Sequence, residues 1–190
     1  RIVDRDVVER ANIHRQSIFD VGMLGMPKVE AAERRIKAIN PDVEVEAIST
    51  YIDEDNAKRV VDGMDLILDG LDSIKSRKHV NRACVELRKP YVYGAAIEMF
   101  GNASTIIPKK TPCLNCLFPK EADTIVTCAT VGVHPSLVSI VASLEVCEAV
   151  RIITGAQPIL AGKLLFVDLR SMSFDIVEVM RSEACKVCGQ

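Results

Sequence analysis

The chain has 190 residues, of which 48% are hydrophobic, 26% charged and 4% aromatic, with no Trp and a formal net charge of −2. That length and balance suit one globular domain with a sizeable core. The near-neutral charge excludes a general attraction to nucleic acid or acidic membrane, and the scarcity of aromatics argues against a base-stacking surface.

The opening run, Arg1-Ile2-Val3-Asp4-Arg5-Asp6, is not the apolar core of a leader peptide. The longest apolar stretch, residues 131–153, carries His134, Pro135, Glu145, Glu148 and Arg151, so it reads as a buried helix and not a membrane span. Seven Cys without a secretion signal favour a reducing, cytoplasmic compartment, where paired Cys bind metal more often than they form disulfides.

Arg1 to Asp4 reads as the tail of a strand ending in a carboxylate. Met26-Pro27-Lys28 opens a helix, and Val29, Ala32, Ile36 and Ile39 fall on one face of it. Asn40-Pro41-Asp42 stops that helix. Residues 43–48 alternate like a half-buried strand, and residues 53–62 read as a short helix. Leu66-Ile67-Leu68 is a brief apolar strand ending at Asp69-Gly70-Leu71-Asp72, after which Ser73 caps a helix running to about Arg88. Tyr91-Val92-Tyr93 is another short strand. Strands alternating with helices predict βαβ units and a mostly parallel sheet.

From Ile97 the rhythm changes. Residues 100–107 and 163–178 read as longer antiparallel strands. Between them lies a helix over Pro135–Ile153, with Leu137, Ile140, Val141, Leu144 and Cys147 on its expected inner face. The fold expected is α/β: a Rossmann-like, mostly parallel sheet continuing into antiparallel strands, in a single domain over residues 1–190. A nucleotide-binding βαβ unit ordinarily begins with strand, Gly-rich turn and helix, then a second strand ending in an acid. Asp4 fits that acid, yet the ten Gly never form Gly-x-Gly. The chain therefore reads as lacking the first strand, loop and helix.

The firmest chemical signal is Cys113-Leu-Asn-Cys116 and Cys185-Lys-Val-Cys188. Two such knuckles suit a structural, tetrahedral zinc site that clips the C-terminal region onto the middle of the chain. The competing reading is two independent redox or idle pairs. Neither pair is expected at the start of a helix, where a redox pair would sit.

A second signal is the acids at strand ends. Ligands of open parallel sheets bind beyond the carboxyl ends of strands. Asp4 there suits ribose hydroxyls, and Asp72 suits Mg²⁺, which prefers carboxylate and phosphate oxygen. Helix capping and turn chemistry explain the same residues equally well. Third, Asn12-Ile-His-Arg15-Gln16 and Lys28 offer cations for a triphosphate, although single surface Arg and Lys are common.

Taken together, Asp4-Arg-Asp-Val-Val-Glu-Arg-Ala-Asn12-Ile-His-Arg15-Gln16, Gly25-Met-Pro-Lys28-Val-Glu-Ala-Ala, Ile39-Asn-Pro-Asp-Val, Leu68-Asp-Gly-Leu-Asp72-Ser, Gly94-Ala-Ala and the two knuckles resemble the ThiF/MoeB/HesA family in order and spacing, across essentially the whole chain. The resemblance implies ATP-dependent adenylation of the C-terminal Gly-Gly carboxylate of a ubiquitin-like or sulfur-carrier protein. It implies that Asp4 binds the ribose and that Asn12, Arg15 and Lys28 contact the phosphates. Arg15 and Lys28 would favour attack at the α-phosphorus, Asp72 would hold Mg²⁺, and Ser73 would lie beside the nucleotide. Relatives commonly carry Asn where this chain has Ser73. Arg77 and Asn81 also match and would shape the pocket. Cys128 stands where some relatives carry a Cys that receives the acyl group or forms a persulfide-linked adduct; the other reading is a small hydrophobe in a loop. Cys84 and Cys147 read as core, and His14, His79 and His134 as structural or surface groups. The family habit is a homodimer.

A second function class is a non-catalytic scaffold that partners an active homologue. The missing glycine loop favours it. The retained Asp4, Arg15, Lys28 and Asp72 oppose it.

Overall fold

The computed structural model of the protein describes residues 1–119 and 131–189. Its chain divides into two compact units, Arg1–Ile52 and Asp53–Gln190.

In the first unit β1 (Ile2–Val3) pairs in parallel with β2 (Ala47–Ile48), and α1 (Arg10–Ile13) and α2 (Lys28–Ile39) lie in the connection between them. Parallel strands require such a crossover. The segment after β1 doubles back against the start of α2. Val8 N donates to Met26 O at 2.8 Å, Gly25 N to Val8 O at 2.9 Å, and Lys28 N to Asp6 O at 2.9 Å. Gly25 makes the turn at φ 82°, a conformation that costs glycine little. Val8, Phe19, Met23, Ala31 and Ala32 form the core, with Ile2, Ile18 and Met26 against it. The expected face of α2 holds for Val29 and Ala32, which are buried, but Ile39 is 71% exposed at the end of the helix. The strand expected over residues 43–48 shortens to Ala47–Ile48.

The second unit carries α3 (Ala57–Val61), β3 (Ile67–Leu68), α4 (Ile74–Leu87), β4 (Tyr91–Ile97), β5 (Phe100–Ile106), α5 (Leu114–Leu117), α6 (Pro135–Ile153), β6 (Lys163–Asp168) and β7 (Ser173–Glu178). Its sheet has the order β3-β4-β5-β6-β7. Only β3–β4 is parallel; the three longer ladders are antiparallel. The architecture is thus α/β with a mixed sheet: the expected continuation into antiparallel strands is present, and what is corrected is the weight of the parallel part, which in this sheet is the β3–β4 pair. β3 contributes only two paired residues, whereas β4 and β5 pair along seven.

Ser73 caps α4, its hydroxyl accepting from Ser76 N at 3.5 Å, and Arg88 ends the helix in a left-handed turn at φ 57° just before Lys89-Pro90. α6 starts with Pro135 in its first turn and packs on the sheet. Leu137 and Val141 meet Ala103, Leu160, Leu165, Val167 and Leu169 in one apolar cluster. Each such aliphatic side chain contributes about 1.5–3 kcal/mol on burial. No described helix is long and apolar enough to cross a membrane.

Candidate functional site

In the first unit, the chain leaves β1 through Asp4, whose Oδ1 accepts from Asp6 N at 2.8 Å. The doubling-back of this segment brings it beside the first residue of α2. Lys28 Nζ lies 3.0 Å from Asp6 Oδ2 and 3.7 Å from Asp4 Oδ2. The Lys28 side chain is only 10% exposed, against 36% and 56% for its two acidic partners. Ion pairs with such exposed carboxylates are worth about 0–1 kcal/mol, so a polyanion can readily take over the ammonium. Asn12 is buried, and its Oδ1 accepts from Glu9 N at 3.1 Å, a bond that caps the start of α1. Its carbonyl accepts from Arg15 N and Gln16 N, and the Arg15 guanidinium donates to Ala11 O at 2.7 Å. Asp4 and Lys28 are therefore brought together, with Asn12 and Arg15 at the turn that ends α1.

In the second unit, the two acids after β3 have different fates. Asp69 is fully buried. Its Oδ2 meets Arg77 Nε at 2.8 Å and its Oδ1 accepts from Leu71 N at 2.9 Å. Arg77 also donates to Leu71 O and, at 2.9 Å, to Gly94 O, so one guanidinium ties the 69–71 turn to β4. Burial pushes the Asp69 carboxyl above the usual carboxylate range, against the pull of Arg77. Asp72 is exposed, and among the described residues no hydrogen bond or ion pair occupies its carboxylate. That suits a hard cation, which takes oxygen ligands. Ser73 stands next to it at the cap of α4.

The four knuckle sulfurs converge. The Sγ atoms of Cys113, Cys116, Cys185 and Cys188 all lie within 4.8 Å of one another. Cys113 Sγ is 3.7 Å from that of Cys185, and Cys116 Sγ 3.4 Å from that of Cys188. Ligand bonds of about 2.3 Å in a tetrahedron put sulfurs about 3.8 Å apart, so the set fits a single thiophilic ion. Cys113 is the N-cap of α5, which corrects the expectation that neither pair opens a helix. The convergence of the two pairs, and not their position on a helix, is what favours a metal.

The profile of the ThiF family matches residues 1–187. The chain belongs to the ThiF family. Similar curated proteins include the SAMP-activating enzyme E1 of Haloferax volcanii, 37% identical over 100% of this chain and 70% of its own length. The sulfur carrier protein adenylyltransferase of Thermus thermophilus is 36% identical, over 99% of this chain and 72% of its own. Among solved structures, Escherichia coli MccB superposes with a TM-score of 0.87 at 22% identity, covering 99% of this chain. This ThiF-family chain spans 58% of that protein's length, and the likeness speaks for the fold.

Several residues of this ThiF-family domain were not legible as site residues. No sequence pattern marks Asp6, beside Lys28, or Glu145. The Glu145 side chain lies against the Cα of Gly94, and burial, with the charge of Asp69 adding to it, pushes its carboxyl up to about 9. Asn81 bonds to the first knuckle, through Leu114 N and Asn115 Oδ1. Cys84 is core as expected, its thiol pushed up to about 12 by burial, but Cys147 is exposed. On α6 the inward positions near it are Glu145, Glu148 and Ala149. Cys128 lies outside the described residues.

Proposed function

We propose that this ThiF-family domain adenylates the C-terminal Gly-Gly carboxylate of a small ubiquitin-like or sulfur-carrier protein, using ATP. The observation that carries the proposal is the Asp4–Lys28 pair at the start of α2, in a chain whose relatives are named adenylyltransferases. The naming of relatives for SAMP and for sulfur carriers supports the substrate class, and E. coli MccB, of the same fold, has been solved with ATP. The relatives are longer than this chain, so the whole enzyme's carrier and its homodimeric state belong to the same proposal.

A carboxylate is a poor partner for a triphosphate because both are anionic. Its oxygen must bond to the α-phosphorus while the bond to the β-phosphate breaks and pyrophosphate leaves. Lys28 and Arg15 offset that charge most where it grows, in the transition state. Asp4 holds ribose hydroxyls and Asn12 a phosphate oxygen. Asp72 takes Mg²⁺, which neutralises phosphate charge when bound, and Ser73 flanks the nucleotide. The knuckle thiolates hold Zn²⁺ in a closed, structural site. Cys128 is the acceptor for a second step in which a thiolate displaces AMP from the acyl-adenylate.

The test is exchange of labelled pyrophosphate into ATP by the full-length natural protein. Exchange is expected only with a carrier ending in a free Gly-Gly carboxylate. Asp72→Ala should abolish it and Lys28→Ala should lower it by about 10²–10³-fold. Absence of exchange with every such carrier would favour the scaffold reading; exchange that survives Asp72→Ala would remove Asp72 as the metal ligand. Cys128→Ala should leave exchange within about threefold of wild type, under ~1 kcal/mol in barrier. It should also abolish any covalent carrier adduct that thiols release. Lost exchange would instead make Cys128 part of the first step.

A further inference from the structure

The two halves of the cysteine cluster are supported differently. The second knuckle lies in a C-terminal loop, where Arg181 donates to Lys109 O at 3.2 Å and to Cys188 O. The first is a tight turn, with Cys116 N donating to Cys113 O at 2.9 Å and Phe118 N to Leu114 O at 2.8 Å. Leu117 N also returns to Cys113 O, at 3.2 Å, but Leu114 N, at the first position, finds no backbone partner within so short a turn, and no side chain of its own caps it. The missing partner comes from α4. Asn81 is completely buried there, and its Oδ1 accepts from Leu114 N at 2.9 Å. The same amide's Nδ2 donates to Asn115 Oδ1 at 3.1 Å. Leu114 and Asn115 are the two residues between Cys113 and Cys116. One side chain thus grips both interior residues of the knuckle and fixes them to a 14-residue helix.

We propose that Asn81 is a positioning residue of the metal centre: it caps the first knuckle from a neighbouring helix and holds Cys113 and Cys116 ready, so that the second knuckle closes on a preformed half-site. A buried amide spent on two hydrogen bonds to the residues between ligands fixes the ligands' direction without touching the ion. Leucine in its place would fill the same space and leave Leu114 N buried without an acceptor, which costs about 1–3 kcal/mol. The inference rests on the zinc reading above.

The experiment is zinc transfer from the full-length, zinc-loaded protein to excess chromogenic chelator, with zinc content measured first. Asn81→Ala is expected to release zinc about 10–100-fold faster than wild type. The Co²⁺-substituted variant should show altered ligand-field bands. Cys84→Ala is the control: it opens the same helix face to a comparable packing defect without touching the knuckle, and should release zinc at the wild-type rate. Where Asn81→Ala fails to fold, Asn115→Ala decides, since it removes one of the two bonds from a partly exposed residue; release about threefold faster is expected. The proposal is overturned by release within twofold of wild type in the deciding variant, or by equal acceleration in Cys84→Ala. Wild-type protein that holds no zinc would refute the metal reading itself. Zinc-loaded wild type with indifferent variants would refute only the role of Asn81.

Discussion

Gly94 shows how a single residue can be fixed by what packs on it. Its backbone is extended, so no unusual φ requires glycine. A Cβ built there would collide with the Glu145 carboxylate and come within 2.8 Å of Val141 Cγ1. Its carbonyl meanwhile accepts from Arg77. The flexible carboxylate can swing aside, but Val141 is buried in the α6 cluster and cannot. Gly94→Ala should therefore destabilise the protein by about 1–3 kcal/mol, measured by urea unfolding, the usual cost of overfilling a packed site. A loss under about 0.5 kcal/mol would mean that α6 yields at no cost.

α6 carries two buried glutamates one turn apart in the sheet-facing surface, and they are held in opposite ways. Glu148 is satisfied: it accepts from Thr105 Oγ1 at 2.6 Å, Ile159 N at 2.9 Å and Leu160 N at 2.8 Å, tying the helix to β5 and to the 159–160 turn. Glu145 is held up at about 9, because burial and the charge of Asp69 outweigh the attraction of Arg77. The sign follows from linkage. Below the unfolded value of 4.5 both states hold the proton, and stability does not depend on this group. Between 4.5 and about 9 the unfolded chain has released the proton and the folded one has not, so stability falls as pH rises. Glu145→Gln should flatten that slope. Urea unfolding at several pH values from 6 to 9 should show wild type losing stability and the variant losing clearly less. Parallel curves would mean that Glu145 ionises in the folded state at ordinary pH.

At the scale of the whole molecule, the cysteine cluster joins residues far apart in the chain. The Cys185–Cys188 loop meets the knuckle at α5. Without an ion, only weak sulfur–sulfur contacts link the two knuckles, and the loop would depend on the Arg181 contacts. On the zinc reading proposed above, treatment with a chelator should lower Tm by about 10 °C and expose the chain to trypsin at Arg181 and Lys186, while α6 stays protected. Unchanged digestion would show that side-chain packing alone holds the loop.

What the sequence determined by itself is local or combinatorial. The limits of α6, the Ser73 cap of α4 and the two Cys knuckles were readable because capping, periodicity and ligand spacing act over a few residues. Family membership was readable because many short motifs occur in order. Only tertiary structure decided the rest. Asp69 and Asp72 look alike in sequence, yet one is buried against Arg77 and the other is exposed. Asp6 beside Lys28, Asn81 on the knuckle and Glu145 over Gly94 arise from contacts across long sequence separations. Cys147 faces outward because two carboxylates claim the inner surface of α6, one satisfied by hydrogen bonds and the other kept protonated by burial. No periodicity rule marks a glutamate as inward-facing: whether burial of a carboxyl is tolerable depends on partners that only the fold supplies.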